Sequence, residues 1–296
     1  MRIFLTGATG FIGSRIVPEL LQAGHRVLGM TRSDQGAKAL AAAGAEVHRG
    51  QLEDLDSLRS GAAQADAVIH TAFDHDFAHF VANCEKDRRA ITALGSALAG
   101  SDRPLLITSG TGIGGKGHGE LATEDVFNTD HPNPRIASER AGNELLADGV
   151  AVSVVRLPQV HDTQRQGLIS PLIEVARATG VSAYVGEGRH RWPAAHVLDV
   201  ARLYRLAIEK CTPGSRYHAV DEEGIATRAI AEAIGAGLGV PTKSIPASEA
   251  ADHFGWLGGF VGLDLSASSA WTRKALGWTP NGPSLLDDLK GMNFSV

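Results

Sequence analysis

A chain of 296 residues with 43% hydrophobic and 21% charged side chains has material for one α/β core plus a smaller lobe, and its composition excludes a disordered or fibrous protein. Its formal charge of −5, with no Lys/Arg stripe interleaved with aromatics, gives no footprint for nucleic acid. No apolar run reaches the roughly 18 residues of a membrane span, Met1 leads straight into a strand-like segment with no room for a signal peptide, and Cys84 and Cys211 show neither metal-ligand nor redox spacing; the expectation is a cytoplasmic monomer or homodimer that meets a small-molecule substrate, no nucleic acid and no membrane.

In chain order, short β-branched runs alternate with helical patterns. Ile3 to Thr6, Val27 to Met30, Ala45 to His48 and Ala67 to His70 are each followed by a helix, the signature of parallel strands with crossover helices. Pro104 to Thr108 and Val152 to Arg156, with a helix near residues 135 to 148 between them, bring the count to six strands of a Rossmann-type, doubly wound parallel sheet. Beyond Pro158 the expected elements are a helix over 168 to 179, a short strand at Ala183 to Val185 and a helix from Val197 to Lys210. From Ile225 onward the pattern is mostly helical, broken by Gly255, Gly258 and Gly259. This places a dinucleotide-binding domain at 1–160, with 190–222 returning to it, and a smaller, mostly helical C-terminal lobe on the substrate side at 161–189 and 223–296.

Gly7-Ala8-Thr9-Gly10-Phe11-Ile12-Gly13 follows the first strand and opens the first helix. In that context the first glycine permits a tight turn, the second lets backbone approach a pyrophosphate and the third lets helix and strand pack closely. Unpaired N–H groups at the helix start face the phosphates. The competing reading is a glycine-rich turn that binds nothing.

TGATGFIG at residues 6 to 13 resembles the TGxxGxxG motif of extended short-chain dehydrogenases/reductases, the group that includes NAD-dependent epimerases/dehydratases. Val68-Ile69-His70-Thr71-Ala72 is similar to that group's "VIHxA" segment, Arg156-Leu157-Pro158-Gln159-Val160 to its "RPxxV" stretch beside the nicotinamide, His196 to Ala201 to its "HVxDVA", and Leu276 to Pro280 to its "LGWxP". The likeness runs along most of the chain. It implies cofactor contacts at Gly7, Thr9, Gly10, Phe11, Ile12, Gly13, Thr71, Ala72, Pro158 and Val160. After strand three the family usually has an acid, where this chain has Gln51-Leu52; Gln51 is expected to hydrogen-bond adenine.

The end of the second strand, where NAD enzymes place a carboxylate for the ribose 2′-hydroxyl, reads Thr31-Arg32-Ser33. A guanidinium flanked by hydroxyls suits a 2′-phosphate, so NADP is the expected cofactor and NAD the alternative. The competing reading is a solvated Arg32, since Asp34 lies two residues on.

The resemblance fails at the catalytic pair. The family's YxxSK, aligned on Ser138, becomes Arg135-Ile136-Ala137-Ser138-Glu139: arginine is a poor general acid and glutamate brings the wrong charge to stabilise a phenolate. The chain therefore resembles the atypical members, which keep fold and glycine loop without the usual catalysts. Arg135 and Glu139 read either as an i,i+4 ion pair on a solvated helix face or as cofactor-facing groups. Ser109 stands where the family keeps a serine that hydrogen-bonds the substrate carbonyl, and an ordinary strand-end serine is the alternative. His161 is the remaining titratable candidate for a proton donor; its alternative is a hydrogen-bonded structural histidine. His196 and Asp199 read as packing residues joining the lobes.

Residues 111 to 119, rich in glycine and including Lys116 and His118, are expected to form a mobile flap. No metal is expected, because His75 and His79 with Asp76 lack a further ligand. Arg189-His190-Arg191-Trp192 is either an anion clamp for a substrate such as a nucleotide sugar or an exposed loop. Three functions stay open: an NADP-dependent oxidoreductase of a small carbonyl or alcohol, a nucleotide-sugar epimerase or dehydratase, and a non-enzymatic NADP-binding sensor or scaffold.

Overall fold

The computed structural model describes residues 1–115, 117 and 119–294. The first half of the chain winds as β1 (Arg2–Thr6), α1 (Gly13–Gln22), β2 (Arg26–Thr31), α2 (Asp34–Ala42), β3 (Glu46–Arg49), α3 (Leu55–Ala63), β4 (Ala67–His70), α4 (Phe80–Ser96), β5 (Leu105–Gly110), α5 (Ile136–Ala147) and β6 (Val152–Leu157). It continues through β7 (Gln159–His161), α6 (Ile169–Thr179), β8 (Ser182–Val185), β9 (Arg191–His196), α7 (Val197–Lys210), β10 (Arg216–His218), β11 (Glu222–Ala226), α8 (Thr227–Leu238) and β12 (Thr242–Ile245). The short helices α9 (Ala250–Phe254), α10 (Gly258–Val261), α11 (Ala270–Leu276) and α12 (Leu285–Gly291) follow.

A parallel sheet in the order β10-β6-β5-β4-β1-β2-β3 forms the centre. It is covered on both faces, so its strands are near-continuous apolar runs rather than alternating ones. In β1, Ile3 and Leu5 pack with Ile16 and Leu20 of α1 and Tyr204 and Ala207 of α7. Phe4 points the other way, onto Leu58, Ala62 and Ile91. The order of strand addition reverses between β1 and β4, and the crevice beyond the carboxyl ends at such a point is where doubly wound sheets bind ligands.

One sequence expectation needs correction here. The sheet has seven strands, not six: β10, three residues long, pairs in parallel with β6 and is too short to show a period. From Ile225 onward the described residues are mostly helical, as expected, with one short strand added: β12 pairs with β8, while β11, which starts at Glu222, joins β9 and β7 in a three-stranded sheet. β12, Thr242-Lys243-Ser244-Ile245, has no fully buried residue, so its strand form is set by pairing with β8, which no local pattern signals.

The expected flap is corrected in part. Residues 111–114 form a tight 3-10 turn in which Thr111, Ile113 and Gly114 are buried; a Cβ at Gly114 would lie 2.7 Å from both the Arg156 guanidinium and the Thr123 carbonyl oxygen. This half of the segment is packed structure, and Lys116 and His118 lie outside the described residues. A separate core of the lobe collects Ile169, Ile173, Trp192, Phe254, Leu257, Leu285 and Leu289. The "HVxDVA" and "LGWxP" segments meet as joints: Trp278 Nε1 donates to the Asp199 carbonyl at 2.9 Å and Gly282 N to the Asp199 carboxylate at 2.7 Å. Among the described residues no helix is long and apolar enough to cross a membrane.

Candidate active site

The glycine turn lies at the end of β1, and each of its three glycines is held differently. Gly7 has φ +68°, and a Cβ there would come within 2.7 Å of Ala72 N and 2.8 Å of Thr71 Oγ1. That contact ties the turn to the end of β4, where Thr71 Oγ1 donates to the Thr6 carbonyl at 2.8 Å. A Cβ on Gly13 would sit 2.1 Å from the Gly7 carbonyl oxygen, so α1 can approach the turn only with glycine there. Gly10 is exposed, and its Cβ would meet only the Gly7 oxygen at 3.2 Å; its open side is the approach for a ligand. No side chain caps α1 and no acid stands in its first turn, which leaves the positive end of the helix dipole available to an anion. Phe11 and Ile12 are half-buried against the core beside α1. These residues fit a dinucleotide pyrophosphate.

At the end of β2, Thr9, Thr31 and Ser33 crowd around Gly36, whose Cβ would lie 2.2 Å from Thr31 Oγ1 and 3.1 Å from both Ser33 Oγ and Thr9 Cγ2. Ser33 Oγ caps α2, accepting from Gly36 N at 3.0 Å. Arg49 donates to Asp34 at 2.7 Å and to the Ser33 carbonyl at 2.6 Å. The acid that competes for Arg32 in the sequence is therefore held by another guanidinium, and Arg32 is exposed, with no partner among the described residues. Gln51 is exposed and Leu52 half-buried, the latter against the core beneath α3 and α4.

A buried polar chain runs below the turn. Thr6 Oγ1 and His70 Nδ1 are 2.7 Å apart, His70 Nε2 and Asp87 Oδ1 3.0 Å. Asp87 Oδ2 accepts from Ser138 Oγ and from Arg135 Nη1, both at 2.5 Å. The tautomer that satisfies all partners donates from Nε2 to Asp87 and accepts at Nδ1 from Thr6. Burial raises the Asp87 pKa, but Arg135, His70 and Ser138 overcome it and hold the carboxyl well below its ordinary range. Arg135 also donates to the Thr108 carbonyl at 2.9 Å, and its guanidinium lies 4.1 Å above the Phe73 ring. With 13% of its side chain exposed, Arg135 is locked in place at the end of β5.

Arg135 and Glu139 form no ion pair with each other, so the solvated-face reading is corrected. Glu139 is buried and accepts two hydrogen bonds from Arg156, at 2.7 and 2.8 Å, and one from Arg216 at 3.1 Å. Burial raises its pKa, but Arg156, Ser109 and Arg216 lower it further, so the carboxylate is the stable form. Glu139 is thus the counterion of a buried arginine rather than a cofactor contact. Ser109, one residue past the carbonyl that holds Arg135, is 3% exposed. Its hydroxyl lies beside Glu139 without a well-aligned partner.

His161 takes the structural alternative. Its side chain is fully buried, Nδ1 is 2.7 Å from Asp288 Oδ2, and burial outweighs that carboxylate to lower its pKa. The ring is enclosed against His196 and Asp288 of α12 with no exposed surface, so it is not placed as a proton donor. Val160 is buried in the core with Ala195 and Val197, while Pro158 stays half-exposed at the β6–β7 junction. In the Arg189 to Trp192 segment Arg189 is exposed and pairs with Glu187 at 2.7 Å, Arg191 pairs with Asp264 at 3.2 Å, and Trp192 is fully buried. His79 pairs with Asp76 at 2.8 Å.

Asp87, His70 and Phe73 were not singled out as site residues. For Asp87 a signal existed: on α4 it shares the inward stripe of Cys84, Ala90, Ile91 and Leu94, a lone acid where helical periodicity demands apolar side chains. Phe73 had none.

The family model for "NAD dependent epimerase/dehydratase family" matches residues 3–221. The chain is 47% identical over 290 residues to an uncharacterized protein of Schizosaccharomyces pombe, covering 98% of each chain. It is 24% identical over 276 residues to a 4-hydroxy-2-methyl-3-oxo-4-farnesyl-3,4-dihydroquinoline-1-oxide ketoreductase of Stigmatella aurantiaca, covering 86% of this chain and 80% of that one. Among solved structures, a dTDP-glucose 4,6-dehydratase of Streptomyces venezuelae with NAD bound superposes with a TM-score of 0.77 at 19% identity, covering 99% and 96% of the two chains.

Proposed function

Since the chain belongs to the NAD dependent epimerase/dehydratase family, we propose that it is an NADP-dependent oxidoreductase that reduces a small carbonyl compound. The bound dinucleotide would supply the hydride. Gly7, Gly10 and Gly13 with the start of α1 hold the pyrophosphate; Thr9, Thr31, Arg32 and Ser33 hold the 2′-phosphate. The observation that carries the reading is Arg135. It stands where the family's tyrosine stands, fixed by Asp87, Ser138 and the Thr108 carbonyl. A guanidinium does not yield its proton near neutral pH. Held rigid at a half-dry site, it acts instead by stabilising the negative charge that develops on the carbonyl oxygen as hydride arrives. The Ser109 hydroxyl is buried beside Glu139, so Arg135 alone holds the carbonyl oxygen, and solvent supplies the proton.

A nucleotide-sugar substrate is the weaker reading, because within the candidate anion clamp Trp192 is fully buried and Arg191 pairs with Asp264. The test is dinucleotide oxidation with NADPH and NADH against an aldehyde and ketone panel, for wild type and Arg135→Gln. Loss of an anion-stabilising donor lowers kcat by about 10²–10³-fold, without a matching loss of dinucleotide affinity. A protein that binds NADPH but reduces no carbonyl would instead be a dinucleotide sensor or scaffold.

A further inference from the structure

Beside Arg135 an unbroken line of aromatic rings runs to the lobe. It begins at Phe73, directly after the Thr71-Ala72 floor of the glycine turn, with Arg135 4.1 Å above its ring. Phe73 meets Phe80 edge-on at 6.2 Å, and Phe80 meets Phe77 at 5.5 Å. Phe77 then stacks on Trp256 of the lobe, 4.3 Å between centroids and 8° from parallel, and Trp256 meets Phe260 at 6.1 Å. The line thus crosses from the strand-β4 loop of the large domain to the helices of the lobe.

Trp256 keeps 43% of its surface exposed despite this stack. It sits in a three-residue turn, Gly255–Leu257, entered through Gly255 at φ +57° and ψ −130°, a conformation strained for any side chain but glycine. The backbone is thereby bent to present the indole toward Phe77. Rings used only to glue two domains together are normally covered; an exposed indole in a shared stack leaves π surface for another flat partner.

We infer that the substrate of this site is an aryl carbonyl compound, its ring lying against Phe73, Phe77 and Trp256 and its carbonyl oxygen on Arg135. The inference rests on the carbonyl-reductase reading above and adds the substrate class. Aromatic rings recognise a flat ring by offset and edge-to-face contacts.

Two measurements test this. The first needs no turnover: the NADP complex is titrated with 2-acetylnaphthalene, 2-octanone or UDP-glucose while tryptophan fluorescence is read. Quenching by the aryl ketone at concentrations at least tenfold below those needed for 2-octanone supports the inference, and Trp256→Phe removes most of that signal. The second compares kcat/KM for aryl and alkyl ketones in wild type, Phe77→Ala and Trp256→Ala. The aryl-to-alkyl ratio falls at least tenfold in each variant, with dinucleotide binding as the check that each is folded. An equal loss for both ketones means that the stack only docks the lobe, and overturns the inference. So does tight UDP-glucose binding, or reduction of alkyl but not aryl ketones. In the last case the carbonyl-reductase reading survives, whereas absence of any dinucleotide binding ends both.

Discussion

Glu139→Gln isolates the reason this chain departs from its family's catalytic lysine. Both side chains of the Glu139–Arg156 pair are fully buried, and Arg216 shares the same carboxylate. Removing the charge leaves the Arg156 guanidinium without a counterion, a change that costs about 3–5 kcal/mol in buried pairs. Arg156 keeps the carbonyls of Val126 and Thr123 as acceptors, at 2.8 and 3.4 Å, which places the expected loss near the lower end, about 3 kcal/mol. At about 2 °C per kcal/mol for a chain of this size, Tm falls by about 6 °C. Glu139→Lys, which restores the family's residue, loses more, because it sets a second cation against Arg156. The assay is urea unfolding followed by circular dichroism, with Tm as a parallel readout. A Glu139→Gln protein within about 0.5 kcal/mol of wild type, the spread of ordinary surface changes, would refute the view that Glu139 is a structural counterion.

Gly13 and Gly10 should separate folding from binding. Gly13→Ala drives Cβ into the Gly7 carbonyl at 2.1 Å and lowers stability, whereas Gly10→Val leaves a folded protein that no longer binds dinucleotide, as read by calorimetric titration. Arg32→Glu should weaken NADP by about 1.5–3 kcal/mol, the value of a charge-assisted hydrogen bond, and turn the preference toward NAD; a wild type that prefers NAD would sink the assignment. His161→Phe should cost about 1–3 kcal/mol by stranding Asp288 while kcat stays near wild type; a large loss of kcat at unchanged stability would return His161 to the reaction. His218 supplies a pH test. Burial and Arg156 lower its pKa from 6.5 to about 3, so the folded ring is neutral, with Nδ1 on the Ser268 carbonyl at 2.8 Å. The unfolded chain takes up a proton below pH 6.5. Stability from this group is therefore complete above pH 6.5 and is lost as pH falls toward about 3, and His218→Asn should flatten the urea midpoint across that window.

The first four strands and the glycine turn were legible because their signals are local. A run such as Ile3-Phe4-Leu5 must be covered on both faces, and Gly7, Gly10 and Gly13 answer to contacts within one strand-turn-helix unit. The same locality made α7 legible to the residue. It made the absence of the tyrosine–lysine pair plain as well, since that pair is read from five consecutive residues. The fate of the replacements was not local. Arg135 is fixed by Asp87, 48 positions away, and Glu139 by Arg156, 17 positions away. Position alone offered each a partner four residues off, and burial chose another because a desolvated charge needs the best-placed counterion rather than the nearest in sequence. Likewise β10 and β12 are strands only because β6 and β8 present open edges to them. The pairing of Phe77 with Trp256, 179 positions apart, could arise only once the lobe folded back over the end of β4, where two rings exposed on separate elements find each other by covering apolar surface.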